Sequence, residues 1–258
     1  MTNIAEFKTN GYQPRFAQNF SKEQYESPGP RLAQPVVRLR LFRYCEITEQ
    51  IYCTTASREK EPTMDFFEAV KTRRSIRAFQ NRPVEKEKMN RIIEAVNLAP
   101  SAGDLQAYEI VVVKDSRCKR ELAEAAGGQW FVSEAPVCLV FLAYPERSSR
   151  KYGGRGSELY CLQDATIAAA YAQLVATALG LASTWVGAFD EEAVAKVVEA
   201  PKNKRPIAIL PIGYGRETPE ITPRRRIGEI VCSETSGSAY AFSFTDESFK
   251  RPTWEPRP

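Results

Sequence analysis

Apolar residues recur at helical spacing in several stretches after residue 64. In residues 85–98 they lie three and four positions apart, at Met89, Ile92, Ile93 and Val96. This spacing puts the four side chains on one face and predicts a helix. Other helices are predicted from Asp65 to the arginines that begin at Arg73, and over residues 115–126, 158–179 and 190–199.

The first of these helices carries a clear start signal. Asp65 is followed three residues later by Glu68, which is the pattern of a capping box. In that motif each of the two side chains bonds to the backbone N–H of the other residue. Phe67 and Val70 share one face of the predicted helix.

Largely apolar stretches predict four strands. They cover residues 107–113, 137–144, 184–188 and 206–214. The run from Ile110 to Val113 is β-branched throughout and predicts a buried strand. Pro211 has no N–H to donate, so the last strand is expected at an edge of the sheet or irregular at that point.

A glycine-rich stretch, Gly153-Gly154-Arg155-Gly156, separates the second strand from the long helix that follows. It lacks the spacing and the lysine of a P-loop. The stretch predicts a mobile surface loop, with a lid facing a substrate as the alternative.

The alternation of helices and strands predicts a three-layer fold in which helices cover both sides of a central sheet. Residues 1–63 differ, because Pro, Gln, Asn and Tyr are scattered there without periodicity and Val36–Phe42 is the candidate strand. We therefore expect an irregular or peripheral N-terminal extension over residues 1–63 and one domain over residues 64–258.

The chain of 258 residues contains no histidine. This excludes Ser-His-Asp triads, Cys-His pairs and zinc or iron sites ligated by histidine. An enzyme of this composition would take its difficult chemistry from a cofactor. The formal net charge of +4 is too small to indicate nucleic acid as a partner.

The six cysteines form no C-x-x-C pair, and Cys138 and Cys161 lie in contexts expected of buried thiols. With no signal peptide in view, a reduced cytoplasmic protein is expected. The apolar region 165–182 carries Thr166 and Gln173 and is rich in alanine, which indicates a core or interface helix and no membrane partner.

Three guanidinium groups and a hydroxyl fall within five residues in Arg73-Arg74-Ser75-Ile76-Arg77. Guanidinium groups match phosphate oxygens bidentately, so the segment is a candidate phosphate site. A solvated charge run at a helix end is the alternative. Three further stretches along the chain favour the phosphate site over the solvated charge run.

Four stretches in this order resemble the nitroreductase family of FMN-dependent oxidoreductases, over about residues 64–231. They are Arg73-Arg74-Ser75-Ile76-Arg77, Pro100-Ser101-Ala102-Gly103-Asp104-Leu105-Gln106, Trp185-Val186-Gly187-Ala188-Phe189 and Pro223-Arg224-Arg225-Arg226. The resemblance implies an α+β fold, with a three-layer α/β/α sandwich around a central mixed sheet and an intertwined homodimer. It also implies FMN at the subunit interface and NADH or NADPH as a transient donor in a ping-pong reaction with a nitroaromatic, quinone or related acceptor.

The resemblance assigns FMN contacts to positions in all four stretches. They are Arg73, Arg74, Ser75, Arg77, Pro100, Ser101, Ala102, Asp104, Gln106, Trp185, Val186, Gly187, Ala188, Arg224 and Arg226. Arg224 and Arg226 would close on the phosphate from its far side. Arg77 would tune the flavin, because a cation beside the reduced ring favours its reduction.

Three positions in these stretches bear on the resemblance, two of them against an FMN contact and one in its favour. The family has asparagine where this chain has Asp104, and a carboxylate accepts hydrogen bonds but donates none when ionised. Trp185 is also suited to be an ordinary core aromatic. Gly187 has no Cβ, so its backbone can lie close to a ring.

Other functions remain open at this level. The same fold could dehalogenate iodotyrosine or break down flavin, and a non-enzymatic basic interaction module is a further alternative. No G-x-G-x-x-G motif links a strand to a helix, so a dedicated dinucleotide site is not expected. The small residues of the long helix, Ala168, Ala169, Ala172 and Ala176, suit the central helix of a dimer or an ordinary core helix.

Overall fold

The computed structural model describes residues 64–253, so the extension 1–63 with its predicted strand Val36–Phe42 lies outside the described residues. The helices are α1 Phe66–Thr72, α2 Lys86–Asn97, α3 Ser116–Ala125, α4 Phe131–Glu134, α5 Pro145–Arg155, α6 Cys161–Ala178 and α7 Glu191–Val197. The strands are β1 Tyr108–Val113, β2 Val137–Ala143, β3 Ala182–Ser183 and β4 Arg205–Gly213. Among residues 64–253, no helix is both long and apolar enough to cross a membrane.

The four strands form one sheet in the order β1-β2-β4-β3. All three pairings between these strands are antiparallel, where the resemblance implied a mixed sheet. A parallel bridge joins Ser75 to Ser183 at the β3 edge. The sheet with its helices is an α+β fold, as predicted.

Helices cover both faces of the sheet because β2 is apolar at every position. Its residues Val137, Leu139 and Phe141 belong to a core formed with α2 and α6. The alternate residues Cys138 and Val140 belong to a second core, which contains residues of α3, α4 and α7. Successive side chains of a strand point to opposite faces, so one apolar strand supports both layers. The predicted three-layer arrangement is confirmed.

The predicted edge position of the last strand is wrong, because β4 lies between β2 and β3. Ser183 pairs with Ile212 on one side of Pro211. On the other side Val186 exchanges two backbone hydrogen bonds with Ile209, of 3.0 and 2.9 Å, in the same register. The missing N–H of Pro211 falls in the gap between these pairings, so the predicted irregularity is confirmed. The strand predicted over 184–188 is wrong in its position, because β3 covers Ala182–Ser183 and only the isolated bridge of Val186 to Ile209 falls within the predicted range.

Two expectations about buried faces are corrected. The strand β1 is an edge strand, and Val112 is 44% exposed. On α2, Met89, Ile92 and Val96 are buried as predicted, whereas Ile93 is 37% exposed. Both residues lie inside their apolar stretches, on the side of the element that is turned away from the core.

The helix α1 is capped as predicted, since the Asp65 carboxylate accepts from the Phe67 N–H at 2.9 Å. The second half of the predicted capping box is different, because Glu68 pairs with Lys71. Phe67 is exposed together with its neighbours on the helix.

The glycine-rich stretch predicted as a loop is helical. The helix α5 runs to Arg155 with a kink at Gly153 (φ 57°, ψ −142°), and a π-helical turn over Gly156–Tyr160 leads into α6. Gly156 is buried against α5: a Cβ at this position would lie 2.5 Å from the Ser148 carbonyl oxygen. This close approach of two backbone segments explains why glycine is required there.

A polar cluster joins the start of α2 to the end of β4. The Tyr214 hydroxyl donates to Glu85 at 2.7 Å, and Arg82 stacks on the Tyr214 ring at 3.8 Å. The hydrogen bond from Tyr214, with smaller contributions from Arg82, lowers the pKa of Glu85 to about 2. The ionised carboxylate is thus the form that the folded protein favours.

Acid should weaken the fold through Glu85. Its pKa in the folded state lies below the ordinary value of 4.5. The stabilisation is therefore complete above that ordinary value and is lost as the pH falls towards 2. Urea unfolding at pH 5 and pH 3 should show a smaller loss of unfolding free energy for Glu85→Gln than for the wild type. Glu87→Gln, on the exposed face of the same helix, is the control and should behave as the wild type.

Candidate functional site

The arginine segment after α1 lies beside the edge of the sheet. Ser75 forms a parallel bridge with Ser183, and the Ile76 N–H donates to the Ser183 carbonyl at 3.1 Å. The Arg77 N–H donates to the Glu217 carboxylate, and the Arg77 side chain is exposed. Backbone pairing thus fixes the segment while the Arg77 side chain remains exposed to solvent.

The two arginine segments that are distant in sequence come together. The pKa of Arg73 is lowered by burial and by the charges of Arg224 and Arg74. The pKa of Arg74 is lowered by burial and by the charges of Arg251 and Arg224. Within residues 64–253, none of these four guanidinium groups forms an ion pair with a carboxylate. We call Arg73, Arg74, Arg224 and Arg251 the arginine cluster.

The C-terminal tail holds the arginine cluster in place. The Arg224 N–H donates to the Pro252 carbonyl at 2.8 Å. Arg251 donates to the Lys71 carbonyl at the end of α1. Arg74 donates to the same carbonyl at 2.8 Å. Like charges held together with no carboxylate paired to them among residues 64–253 form a candidate site for an anion, because a bound anion would relieve their repulsion.

The second predicted stretch, residues 100–106, is a tight loop held by a buried carboxylate. Asp164, 1% exposed at the start of α6, accepts from the Ala102 N–H at 2.9 Å and from the Ala107 N–H at 3.2 Å. The Ser101 hydroxyl accepts from the Gln106 N–H at 2.9 Å. Pro100, Ser101 and Ala102 line a cleft of about 530 Å³ together with Asp164.

The backbone of this loop is strained. Gly103, Asp104 and Gln106 have φ values of 58°, 59° and 46°. Left-handed backbone is tolerated by aspartate better than by most residues, which suits the exposed Asp104. The Gln106 amide donates to the Asn97 carbonyl at 3.0 Å and so closes the end of α2. Strained loops of this kind are typical of ligand sites.

The helix α5 clamps the other side of the loop. Arg147 donates to the Leu105 carbonyl. The Lys151 ammonium lies 3.5 Å from the Gly103 carbonyl oxygen. A Cβ at Gly103 would lie 2.2 Å from the Tyr152 hydroxyl, so this helix closes directly on the loop. The lid alternative for the glycine-rich stretch thus corresponds to a helix that contacts the candidate site.

The third stretch, residues 185–188, continues beyond β3. Val186 is buried and paired with Ile209, as described above. Trp185 is half-buried against the core that contains α6, so it serves as a core aromatic. Gly187 is exposed, and a Cβ there would lie 3.3 Å from the Trp185 indole nitrogen. The exposed backbone of Gly187 and Ala188 is the accessible part of this stretch.

Within one chain the predicted residues form two separate groups. The loop 100–106 contacts Asp164, in the first turn of α6. At the other end of α6, the Met64 N–H before α1 donates to the Ala178 carbonyl at 3.0 Å. Ala178 follows Asp164 by 14 positions along the helix, which corresponds to a distance of about 21 Å. The arginine segment follows α1 and pairs with β3, close to the Ala178 end.

Sequence reasoning missed two residues of these groups. Asp164 is one polar residue in an alanine-rich helix, and its spacing to residues 100–106 carries no local signal. Arg251 lies beyond the stretch that resembles the family. Its position in a run of Pro, Lys and Arg was the available hint.

The structure defines an α+β domain in which helices cover both faces of a sheet and an arginine cluster suited to a phosphate lies at the sheet edge. Comparison with known proteins identifies the family of this domain. The Nitroreductase family profile matches residues 70–136 and 127–214. The chain belongs to the nitroreductase family.

Individual relatives agree with this membership. A putative NADH dehydrogenase/NAD(P)H nitroreductase of Methanothermobacter thermautotrophicus is 31% identical over 164 residues, covering 62% of this chain and 82% of that protein. The FMN reductase (NAD(P)H) of Bacillus subtilis is 33% identical over 164 residues, covering 58% of this chain and 66% of that protein. The structure of an NADPH:FMN oxidoreductase from Vibrio harveyi, in complex with NAD+, has a TM-score of 0.62 and 27% identity, over 68% of this chain and 79% of that one.

Proposed function

We propose that this protein is a cytoplasmic, FMN-dependent oxidoreductase that takes a hydride from NADH or NADPH and reduces a nitroaromatic, quinone or related acceptor. The observation that carries the proposal is the arginine cluster, in which Arg73 and Arg224 meet without a neutralising carboxylate among residues 64–253. Family membership and the relatives' printed activities support it.

The residues present fit FMN in two respects. The phosphate monoester of FMN carries nearly two negative charges, which an uncompensated group of guanidinium ions can neutralise. The strained loop 100–106 and the exposed backbone of Gly187 offer N–H and carbonyl groups for a polar ring edge. Arg73, Arg74, Ser75, Arg224 and Arg226 would hold the phosphate.

The homodimer belongs to the same proposal. The arginine segment and the loop 100–106 lie near opposite ends of α6, too far apart along the helix for one cofactor to bridge readily. A two-fold axis that pairs α6 with its copy in antiparallel orientation would bring the loop of one subunit to the arginine segment of the other. Each of the two sites would then draw residues from both chains.

The surface of one subunit has apolar faces that such a partner would cover. The buried side of α6 uses Ala168, Ala169, Ala172 and Ala176, which are fully buried within the chain. These four residues therefore form an ordinary core contact, and the interface would use the opposite side of the helix. Tyr171 is 39% exposed there, and on α1 Phe66 and Phe67 are 61% and 63% exposed. Large exposed apolar side chains of this kind indicate an interaction surface.

Bound FMN would supply the redox chemistry, accepting a hydride from the nicotinamide and giving electrons to the acceptor. The chain's own contribution is to anchor, orient and tune. Arg77, with its exposed side chain, would stabilise negative charge that develops on the ring. Asp164 would keep the loop 100–106 in shape through its two backbone hydrogen bonds. No histidine is required, because this reaction needs no side chain as acid or base near neutral pH.

A spectrum and a titration test the function. Purified protein incubated with FMN and desalted should be yellow, and NADH or NADPH added without oxygen should bleach it. A quinone or nitroaromatic should then restore the colour. Sedimentation should give about twice the chain mass of 29.0 kDa. Protein that retains no FMN after incubation would contradict the proposal, and a monomer with full FMN occupancy would contradict the shared site.

A further inference from the structure

We propose that a cavity in the C-terminal tail binds the 2′-phosphoadenosine end of NADPH, so that the enzyme uses NADPH in preference to NADH. This inference rests on the proposed function, because it names the donor of that reaction. The cavity has a volume of about 450 Å³, which lies within the range of small-molecule sites. Five cations line it, namely Arg224, Arg225, Arg226, Lys250 and Arg251.

The cavity holds more positive charge than a flavin phosphate requires. Arg225 pairs with Glu229 at 3.3 Å, and Lys250 pairs with Glu247 at 3.4 Å. The other three cations of the cavity form no ion pair with a carboxylate among residues 64–253.

With Arg73 and Arg74, these three bring the unpaired guanidinium groups of the region to five. One phosphate monoester carries about two negative charges and would leave about three of these cations without a counterion. A second phosphate monoester beside the first would neutralise about two of these remaining charges.

The remaining walls of the cavity suit a nucleobase. Tyr240, Phe242, Phe244 and Phe249 line it. The Phe242 and Phe244 rings meet edge to face with centroids 5.0 Å apart, and Tyr240 is 47% exposed. Aromatic rings stack on purines, and neighbouring guanidinium groups bind phosphate. This combination matches an adenosine that carries a 2′-phosphate, which NADPH has and NADH lacks.

Arg224 links the cavity to the proposed flavin site. It lines the cavity. It also belongs to the arginine cluster, where its charge lowers the pKa of Arg73. A donor whose nicotinamide reaches the flavin would therefore find the basic cavity next to the flavin phosphate. The cavity thus adds a specificity subsite without a dinucleotide-binding motif.

Calorimetry on the purified protein measures this subsite directly. Adenosine 2′,5′-bisphosphate should bind about tenfold or more tightly than adenosine 5′-monophosphate, since the difference is a doubly charged group among cations. The double variant Arg225→Gln/Lys250→Gln should abolish most of that difference. Both cations line the cavity, neither is assigned to the flavin, and their exposed ion pairs with Glu229 and Glu247 are weak enough to give way to a phosphate. Lys202→Gln, an exposed lysine outside the cavity, should leave it unchanged.

Steady-state kinetics supply the second measurement. The double variant should raise the KM for NADPH about tenfold while the KM for NADH and the flavin content stay within twofold of the wild type. Phe242→Ala should raise both KM values, since adenine is common to the two donors. Equal affinity of the wild type for the two adenosine phosphates, or equal changes in both KM values in the double variant, would overturn the subsite. The calorimetric comparison does not require bound flavin. A failure of the subsite can therefore be distinguished from a failure of the proposed function.

Discussion

Arg73→Gln and Arg224→Gln should each weaken FMN binding about 10- to 100-fold. A charge-assisted hydrogen bond to phosphate is worth about 1.5–3 kcal/mol, and each change removes such a donor. The flavin-free protein should keep its stability or gain some. Arg73 is half-buried beside the charges of Arg224 and Arg74, so removing one cation relieves repulsion. FMN titration by fluorescence quenching gives the affinity, and thermal melting without FMN gives the stability.

The opposite signs of these two effects separate a binding role from a structural one. Arg120→Gln, at an exposed position on α3, is the matched control and should change neither quantity. If both variants bound FMN like the wild type, the arginine cluster would not be the phosphate site. If the flavin-free variants melted far below the wild type, the arginines would be structural.

Gly156→Ala should destabilise the domain by about 3 kcal/mol, the upper end of the cost of overpacking. The added Cβ would lie 2.5 Å from the Ser148 carbonyl oxygen and 2.7 Å from its carbon. Both are backbone atoms of α5, which cannot move aside as a flexible side chain could. For a domain of this size the loss corresponds to a fall in melting temperature of roughly 6–12 °C. Differential scanning calorimetry measures it.

Gly154→Ala provides the control within the same segment. A Cβ at Gly154 meets only the Glu158 carboxylate oxygen at 3.9 Å, an ordinary contact. Alanine is the better helix former, so this change should be neutral or stabilise by up to about 1 kcal/mol. Similar melting temperatures for the two variants would show that α5 and the π-helical turn do not approach as closely as described.

The parts of the fold that the sequence predicts are those with a local signal. The periods of Met89, Ile92 and Val96 on α2 and the apolar run of β2 depend only on neighbours in the chain. The place of β4 in the sheet depends on distant residues as well. Pro211 removes one backbone hydrogen-bond donor, but this does not determine whether a neighbouring strand lies on that side. The antiparallel register of β3 and β4 resumes beyond the proline, and this depends on residues far away in sequence.

The candidate site divides in the same way. Arg73 and Arg224 are visible as basic stretches, and their family pattern links them across the chain. The Asp164 carboxylate is not visible, since its role follows from the position of α6 under the loop 100–106. The glycines at 153–156 indicate a loop by composition. Close packing of Gly156 on Ser148 instead makes the stretch helical, and only tertiary contact reveals this.

The helix α6 has a consequence for how this protein can vary. If each site is assembled from the loop end of one α6 and the arginine end of another, the number of residues in the helix fixes the distance and the relative orientation of the two ends. One inserted residue would lengthen it by about 1.5 Å and turn one end by about 100° relative to the other, which would misalign both sites at once. Insertions tolerated elsewhere on the surface should therefore be absent between Asp164 and Ala178.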